Sequence, residues 1–254
     1  MGTAMVATLR LTVASTKQLT RSREVLFSLV VYPGLLLMLL ALFSRLQLET
    51  GQGSASLMNV WVTGMGILAV ALGNGHAFLA SIATYKSTGV LKQISVMPVS
   101  PAQLIVGEVI PRAVMGMLTV VAFLVVGREL GASVRLGPEL LAVLPVMALV
   151  TATGLSVAFV IAGLTKSPQD ANALDSYVSF PLYLFTGAMW PLAAFPGWLQ
   201  QVATFIPYTG LIATVRGVAL DGRPLTAFGP ELAIAAAWLA LLFVAAGRAY
   251  AFVK

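Results

Sequence analysis

Apolar residues run along this chain in stretches of about 20, the number needed to carry an α-helix across about 30 Å of hydrocarbon at 1.5 Å per residue. Six stretches qualify: Val25 to Phe43, Leu57 to Ile82, Leu104 to Val126, Leu140 to Leu164, Ser176 to Ala194 and the shorter Leu232 to Gly247. The pattern predicts an all-α integral membrane fold with six transmembrane helices, and one membrane domain over residues 1–254. Between Asp175 and Arg216 the chain is uncharged for twice one span, but Pro191, Pro196, Gly197 and Pro207 interrupt it. A straight helix is excluded there. We expect a fifth span followed, within residues 195–209, by a short external helix with Trp198, Leu199, Val202 and Ile206 on one apolar face, interfacial or re-entrant.

Two further segments have helical spacing without the length to cross. Over residues 1–24, Val6, Leu9 and Val13 form one stripe and Arg10, Lys17 and Arg21 another, as in a basic amphipathic helix lying on anionic lipid or on a cytoplasmic partner. In the loop 83–101, Val90, Ile94 and Met97 share a face that ends before Pro98, which predicts a short apolar knob suited to a groove on another subunit.

Charge sets the orientation. With the N-terminus inside, the inner segments hold nine basic residues, namely Arg10, Lys17, Arg21, Arg23, Lys86, Lys92, Lys166, Arg248 and Lys254. The outer segments hold five, Arg45, Arg128, Arg135, Arg216 and Arg223, and Arg112 falls inside a span. Both termini are therefore expected in the cytoplasm, with the chain multi-pass in the cell inner membrane. Only 9% of the residues are charged and 59% are hydrophobic, too few polar side chains to cover a water-soluble surface. The net charge of +6 is scattered between apolar runs, so it reads as a topology signal and not as a nucleic-acid surface. No cleavable signal peptide is expected, since the first apolar run starts late and lacks a small-x-small site behind it.

The chain has no cysteine and one histidine, which excludes disulfides, thiol chemistry and multi-histidine metal sites. No lysine follows a glycine, so no phosphate-cradling GxxxxGK[ST] loop exists, and the Gly73-Asn74-Gly75-His76 stretch lacks the third glycine of GxGxxG and sits inside a span. No catalytic, metal or cofactor residues are assigned. Ala69, Gly73, Ala77 and Ser81 recur every four residues and predict a face for close helix packing, within the chain or against a second copy. His76, Glu108 and Arg112 are the polar groups expected inside spans. His76 has no carboxylate near it in sequence, and Glu108 and Arg112, four apart around Pro111, neutralise one another on one helix face.

Two stretches resemble the permease subunits of ABC-2 type exporters, such as those for daunorubicin-like antibiotics. Gly89-Val90-Leu91-Lys92-Gln93-Ile94-Ser95-Val96-Met97-Pro98-Val99-Ser100-Pro101 is similar to the family's G-[TV]-L-x-x-[LI]-x-x-x-P-[VL]-[SP]. The run Leu184 to Pro191, with Gly187, followed by Phe195-Pro196-Gly197-Trp198-Leu199 and Ile206-Pro207-Tyr208-Thr209, is similar to its fifth-span ending. One stretch departs from the pattern: Thr84-Tyr85-Lys86-Ser87-Thr88-Gly89 stands where many members have an acidic E-[RK]-E-x-G. The resemblance implies a permease without its own ATPase site, whose Gly89, Val90, Leu91, Ile94, Met97 and Pro98 form the coupling helix on a separate ABC ATP-binding subunit. That subunit would bind the ATP and Mg. It also implies a second permease chain, identical or a sibling. An apolar path favours amphipathic or lipophilic cargo, such as a drug or antibiotic, moved outward by alternating access. The alternatives are a polysaccharide or lipid-linked glycan exporter and a proton-driven transporter using His76 and Glu108. An intramembrane lipid-modifying enzyme would need clustered acid, base or metal ligands, whereas the nine Asp and Glu residues are dispersed.

Overall fold

The computed structural model describes residues 31–42, 47–50, 53–87, 101–135, 137–165 and 167–251. The expected amphipathic helix over 1–24 lies outside them, as do Gly89, Val90, Leu91, Ile94, Met97 and Pro98 of the expected coupling helix. Helix α1 is Tyr32–Leu42, within the first expected span, and is followed by an antiparallel hairpin of β1 (Gln47–Thr50) and β2 (Gly53–Ser56) that pairs Gln47 with Ser56 and Thr50 with Gly53. This small ladder, absent from the sequence expectation, leads directly into α2 (Leu57–Ser87). Then come α3 (Pro101–Glu129), a 3-10 turn at Pro138–Ala142, α4 (Val143–Leu164) and α5 (Pro168–Phe185). The chain ends in α6 (Gly197–Thr204), α7 (Pro207–Ala219) and α8 (Gly229–Ala251).

Among the described residues, four helical stretches are long and apolar enough to cross a bilayer: Leu57–Ile82, Ile110–Glu129, Leu140–Leu164 and Leu225–Ala246. A fifth counts if α6 and α7, bent by 92°, form one broken crossing. The second and fourth expected spans fall where the apolar runs put them. The fifth does not. Its helix begins at Pro168, capped by the Ser167 hydroxyl accepting from the Asp170 N–H at 3.1 Å, and it stops at Phe185. Gly187, at φ +78°, and Pro191 then turn the chain, so Asp175 stands inside the helix and not at its border.

Helix α2 is the axis, packed against α3, α4, α5 and α7, while α8 lies on α4 and α7. The approach of α2 to α4 is close enough that a Cβ on Gly154 would overlap the Ala71 carbonyl, and one on Gly75 would sit 3.2 Å from the Gly154 oxygen. A Cβ on Gly64 would likewise overlap the Ala188 backbone beyond α5. Small residues here permit backbone contact where lipid offers no hydrophobic drive for helix association. The main core gathers Ile67 and Leu68 of α2, Phe123 and Leu124 of α3, Met147 of α4, and Tyr208 and Leu211 of α7. A smaller one holds Phe78, Leu79, Ile82, Leu155 and Ile161.

The short external helix over 195–209 is two helices. Trp198, Val202 and Phe205 expose an apolar face, whereas Ile206 caps the following helix. The elbow is deep: the Phe205 carbonyl accepts from the Trp238 indole at 2.7 Å. Trp238 lies about 14 Å along α8 from Gly229. From this elbow α7 returns beside α2 to the end where Arg135 N–H donates to the Ala219 carbonyl at 2.8 Å. The pair α6 and α7, bent by 92°, thus has the shape of a broken span or a re-entrant loop.

Candidate functional site

Two polar clusters occupy the opposite ends of α2. At the Asn59 end, Arg216 of α7 is half-buried and donates from Nε to Thr63 Oγ1 at 3.1 Å and from Nη2 to the carbonyls of Val60 at 3.2 Å and Gly187 at 2.9 Å. Three elements meet on one guanidinium: α2, the turn after α5, and α7. The turn is fixed a second time by the Trp61 indole, which donates to the Met189 carbonyl at 2.7 Å. Asn59 Oδ1 accepts the Ser133 N–H at 2.8 Å and holds the loop after α3 to the same end. These three acceptors are neutral, and the planar fork of Arg216 acts as a geometric clamp on a hydroxyl and two carbonyls. The expectation counted Arg216 in a segment between spans; the structure instead puts it on α7, half-buried, where it supplies a donor to the carbonyl of the Gly187 turn.

At the other end, the lone histidine has a partner. His76 Nε2 lies 2.6 Å from Asp175 Oδ2 and 3.3 Å from Ser179 Oγ, both on α5. At 2.6 Å the imidazole and the carboxylate share one hydrogen, and Nε2 is the ring nitrogen that faces α5. No carboxylate is near His76 in sequence, but the fold brings Asp175 to it from α5. The legible signal was on α5, where Asn172, Asp175, Ser176 and Ser179 have the spacing of one helix face. That stripe is partly open, with Asn172 and Ser176 exposed and Asp175 and Ser179 buried.

Arg112 is buried in α3, its guanidinium 4.9 Å over the Phe78 ring, and its carbonyl accepts from Asn74 Nδ2 at 3.3 Å. Phe78 in turn meets Phe159 of α4 edge-on at 4.7 Å. Pro111 lies inside the continuous helix that also contains Glu108, whose side chain is outside the described residues. Of the small-residue face, Ala69 is buried while Gly73, Ala77 and Ser81 are half-buried, and the Ser81 hydroxyl donates to the Ala77 carbonyl at 3.0 Å. The tight crossings of α2 instead use Gly64, Gly66 and Gly75. Of the external-helix residues, Pro191 is buried, Trp190 and Trp198 are exposed, and Pro196 caps α6 at Gly197.

The amino-acid sequence has a match among known families: the model of the ABC-2 type transporter fits residues 7–220. The chain belongs to the ABC-2 type transporter family. It is a multi-pass membrane protein, and its matched region runs from the N-terminal segment through the end of α7. Two curated relatives are each described as "Probable doxorubicin resistance ABC transporter permease protein DrrC", from Mycobacterium tuberculosis strains CDC 1551 / Oshkosh and ATCC 25618 / H37Rv. Each is 26% identical over 167 residues, covering 62% of this chain and 58% of the relative. This ABC-2 chain thus aligns with less than two thirds of either relative's length.

Proposed function

We propose that this ABC-2 protein is the membrane-spanning permease subunit of an ATP-driven exporter that moves an amphipathic or lipophilic compound out of the cell. The observation that carries the reading is the family match across residues 7–220, seconded by relatives named for doxorubicin resistance. ATP and Mg belong to a separate ATP-binding subunit, which explains a chain with no GK dipeptide for a phosphate cradle. A second permease chain, identical or a sibling, completes the path.

In this reading the chain makes six crossings in the cell inner membrane, with α1 completing the first and α5 the fifth, and both termini are cytoplasmic. α5 has 18 residues, about 27 Å of helix, enough for the hydrocarbon layer despite Asp175 because that carboxylate is paired. Residues 1–254 form one membrane domain, with 1–24 on the inner surface and 83–101 carrying the coupling helix. Ile94 and its neighbours enter a groove of the ATP-binding subunit, closure of that subunit moves the inner ends of the helices, and alternating access follows. The re-entrant pair α6 and α7, clamped by Arg216, covers the outer end.

The test is affinity purification of the tagged chain from its native membrane, with identification of what accompanies it. An ATP-binding subunit should co-purify with the unaltered chain and be lost in Ile94→Asp, whose carboxylate would be desolvated in the groove without a partner. Equal recovery of that subunit with the variant would refute the assigned coupling helix, and absence of any ATP-binding subunit from every preparation would refute the exporter reading.

A further inference from the structure

We propose that the His76–Asp175–Ser179 cluster is a binding site for the protonated amine of an amphipathic cation, with the His76 imidazole holding the position that the ammonium takes when bound. The proposal deepens the exporter reading by naming a cargo class, and rests on it for the cargo role alone.

A carboxylate within a bilayer-spanning bundle is costly and persists only with a partner. A permanent structural partner would be expected to be as buried as the carboxylate. Here the two differ: the Asp175 side chain is 11% exposed and that of His76 is 44% exposed. The imidazole therefore stands as a cover between the carboxylate and the exterior. It is also the more limited partner, since Nε2 offers Asp175 at most one hydrogen, whereas a primary ammonium offers three together with a full charge.

Two helix faces flank this cover. On α2 the residues one turn away that reach the surface are the small Gly73 and Ala80, half-buried and exposed, while Leu72 and Leu79 at the same spacing are buried inward. On α5, Asn172 and Ser176 continue the polar face of Asp175 and Ser179 outward, and Tyr177 and Phe180 lie exposed farther around the same helix. A cation with an apolar body fits that order, its ammonium on Asp175 Oδ2 and Ser179 Oγ and its body against the exposed Phe180 ring beyond Ser176, where burial of apolar surface favours it. His76 lies about 9 Å inside the Ile82 end of its span, within reach of a molecule partitioned at the bilayer interface. An anionic cargo would meet the carboxylate first, because the nearby cation Arg112 is buried over Phe78.

The test uses the full chain in lipid nanodiscs without nucleotide or ATP-binding subunit, titrated with dansylcadaverine, a fluorescent lipophilic primary amine, and with its N-acetylated, uncharged form. The site predicts at least tenfold tighter binding of the amine. Asp175→Asn should reduce the amine to the level of the acetylated form, and Ser179→Ala should weaken it a few-fold. His76→Ala should tighten it about threefold or more, because the cover is gone, an outcome that a purely structural pair would not give. Should Asp175→Asn fail to fold, the amine-to-acetyl ratio and the His76→Ala shift still decide. Equal affinity for the two probes, or His76→Ala weakening the amine in a variant with an unchanged melting curve, overturns the proposal. A change in oligomeric mass on His76→Ala with unaltered amine binding also overturns it, and assigns the groove to a contact between permease copies. All of these readouts are independent of whether an ATP-binding partner is ever found.

Discussion

Helices α2 and α8 read alike as apolar spans, yet 72% of the residues in the most apolar stretch of α2 are buried within the protein against 11% in α8. Hydropathy marks what enters the bilayer and does not tell the axis from the rim. What separates them is local chemistry. Helix α2 carries Gly64, Gly66 and Gly75 at tight crossings and Asn59, Thr63, Asn74 and His76 at polar contacts, whereas α8 turns Leu241, Phe243 and Val244 outward. In lipid an apolar surface is at ease anywhere, so close packing and interhelical hydrogen bonds decide which helix becomes the centre.

That contrast is broken most severely at Gly154. In Gly154→Val the new Cβ meets the Ala71 carbonyl, a backbone atom that cannot rotate away, so α2 and α4 must part. We expect a loss of more than about 3 kcal/mol and no folded protein in detergent, read by thermal unfolding with monodispersity. Arg216→Met should come next, at about 2–3 kcal/mol, since it removes the donor to the Gly187 carbonyl and the links to Thr63 and Val60. Arg216→Lys should recover only part of this, because an ammonium cannot span three acceptors in one plane. Trp61→Phe removes a single bond to Met189 and should cost about 1 kcal/mol, near the range measured for interhelical bonds in membranes. On the rim, Leu241→Ala should stay within about 0.5 kcal/mol, because lipid and not protein fills the space. A loss at Leu241 as large as at Arg216 would place α8 in a protein interface and erase the contrast.

The same chemistry explains which elements could be read from the chain. Leu57 to Ile82 and Leu140 to Leu164 recur with their expected limits because no charge interrupts either. Helices α5 and α7 were misplaced for the opposite reason. Asp175 and Arg216 look like borders of the membrane when charge is counted residue by residue, but each is inside a helix, satisfied by a partner distant in sequence. The open stripe Asn172, Asp175, Ser176 and Ser179 was available as a warning, since a lipid-facing helix has no use for it. Nothing in the sequence paired His76 with Asp175 in particular. The small face Ala69, Gly73, Ala77 and Ser81 pointed to the right helix, while the tightest backbone approaches fell on Gly64 and on Ala71 opposite Gly154, because α4 and the Ala188 turn lie on another side of α2.

The central claim is that this chain supplies the path and a separate subunit supplies the energy, and reconstitution tests it most directly. The permease is placed in liposomes with and without its co-purifying ATP-binding subunit, and ATP hydrolysis and movement of a lipophilic fluorescent amine are followed together. The account predicts no hydrolysis and no ATP-dependent movement by the permease alone, and both with the two subunits combined. Hydrolysis by a permease preparation free of any other ATPase, or ATP-independent uphill movement driven by a pH gradient, would contradict it.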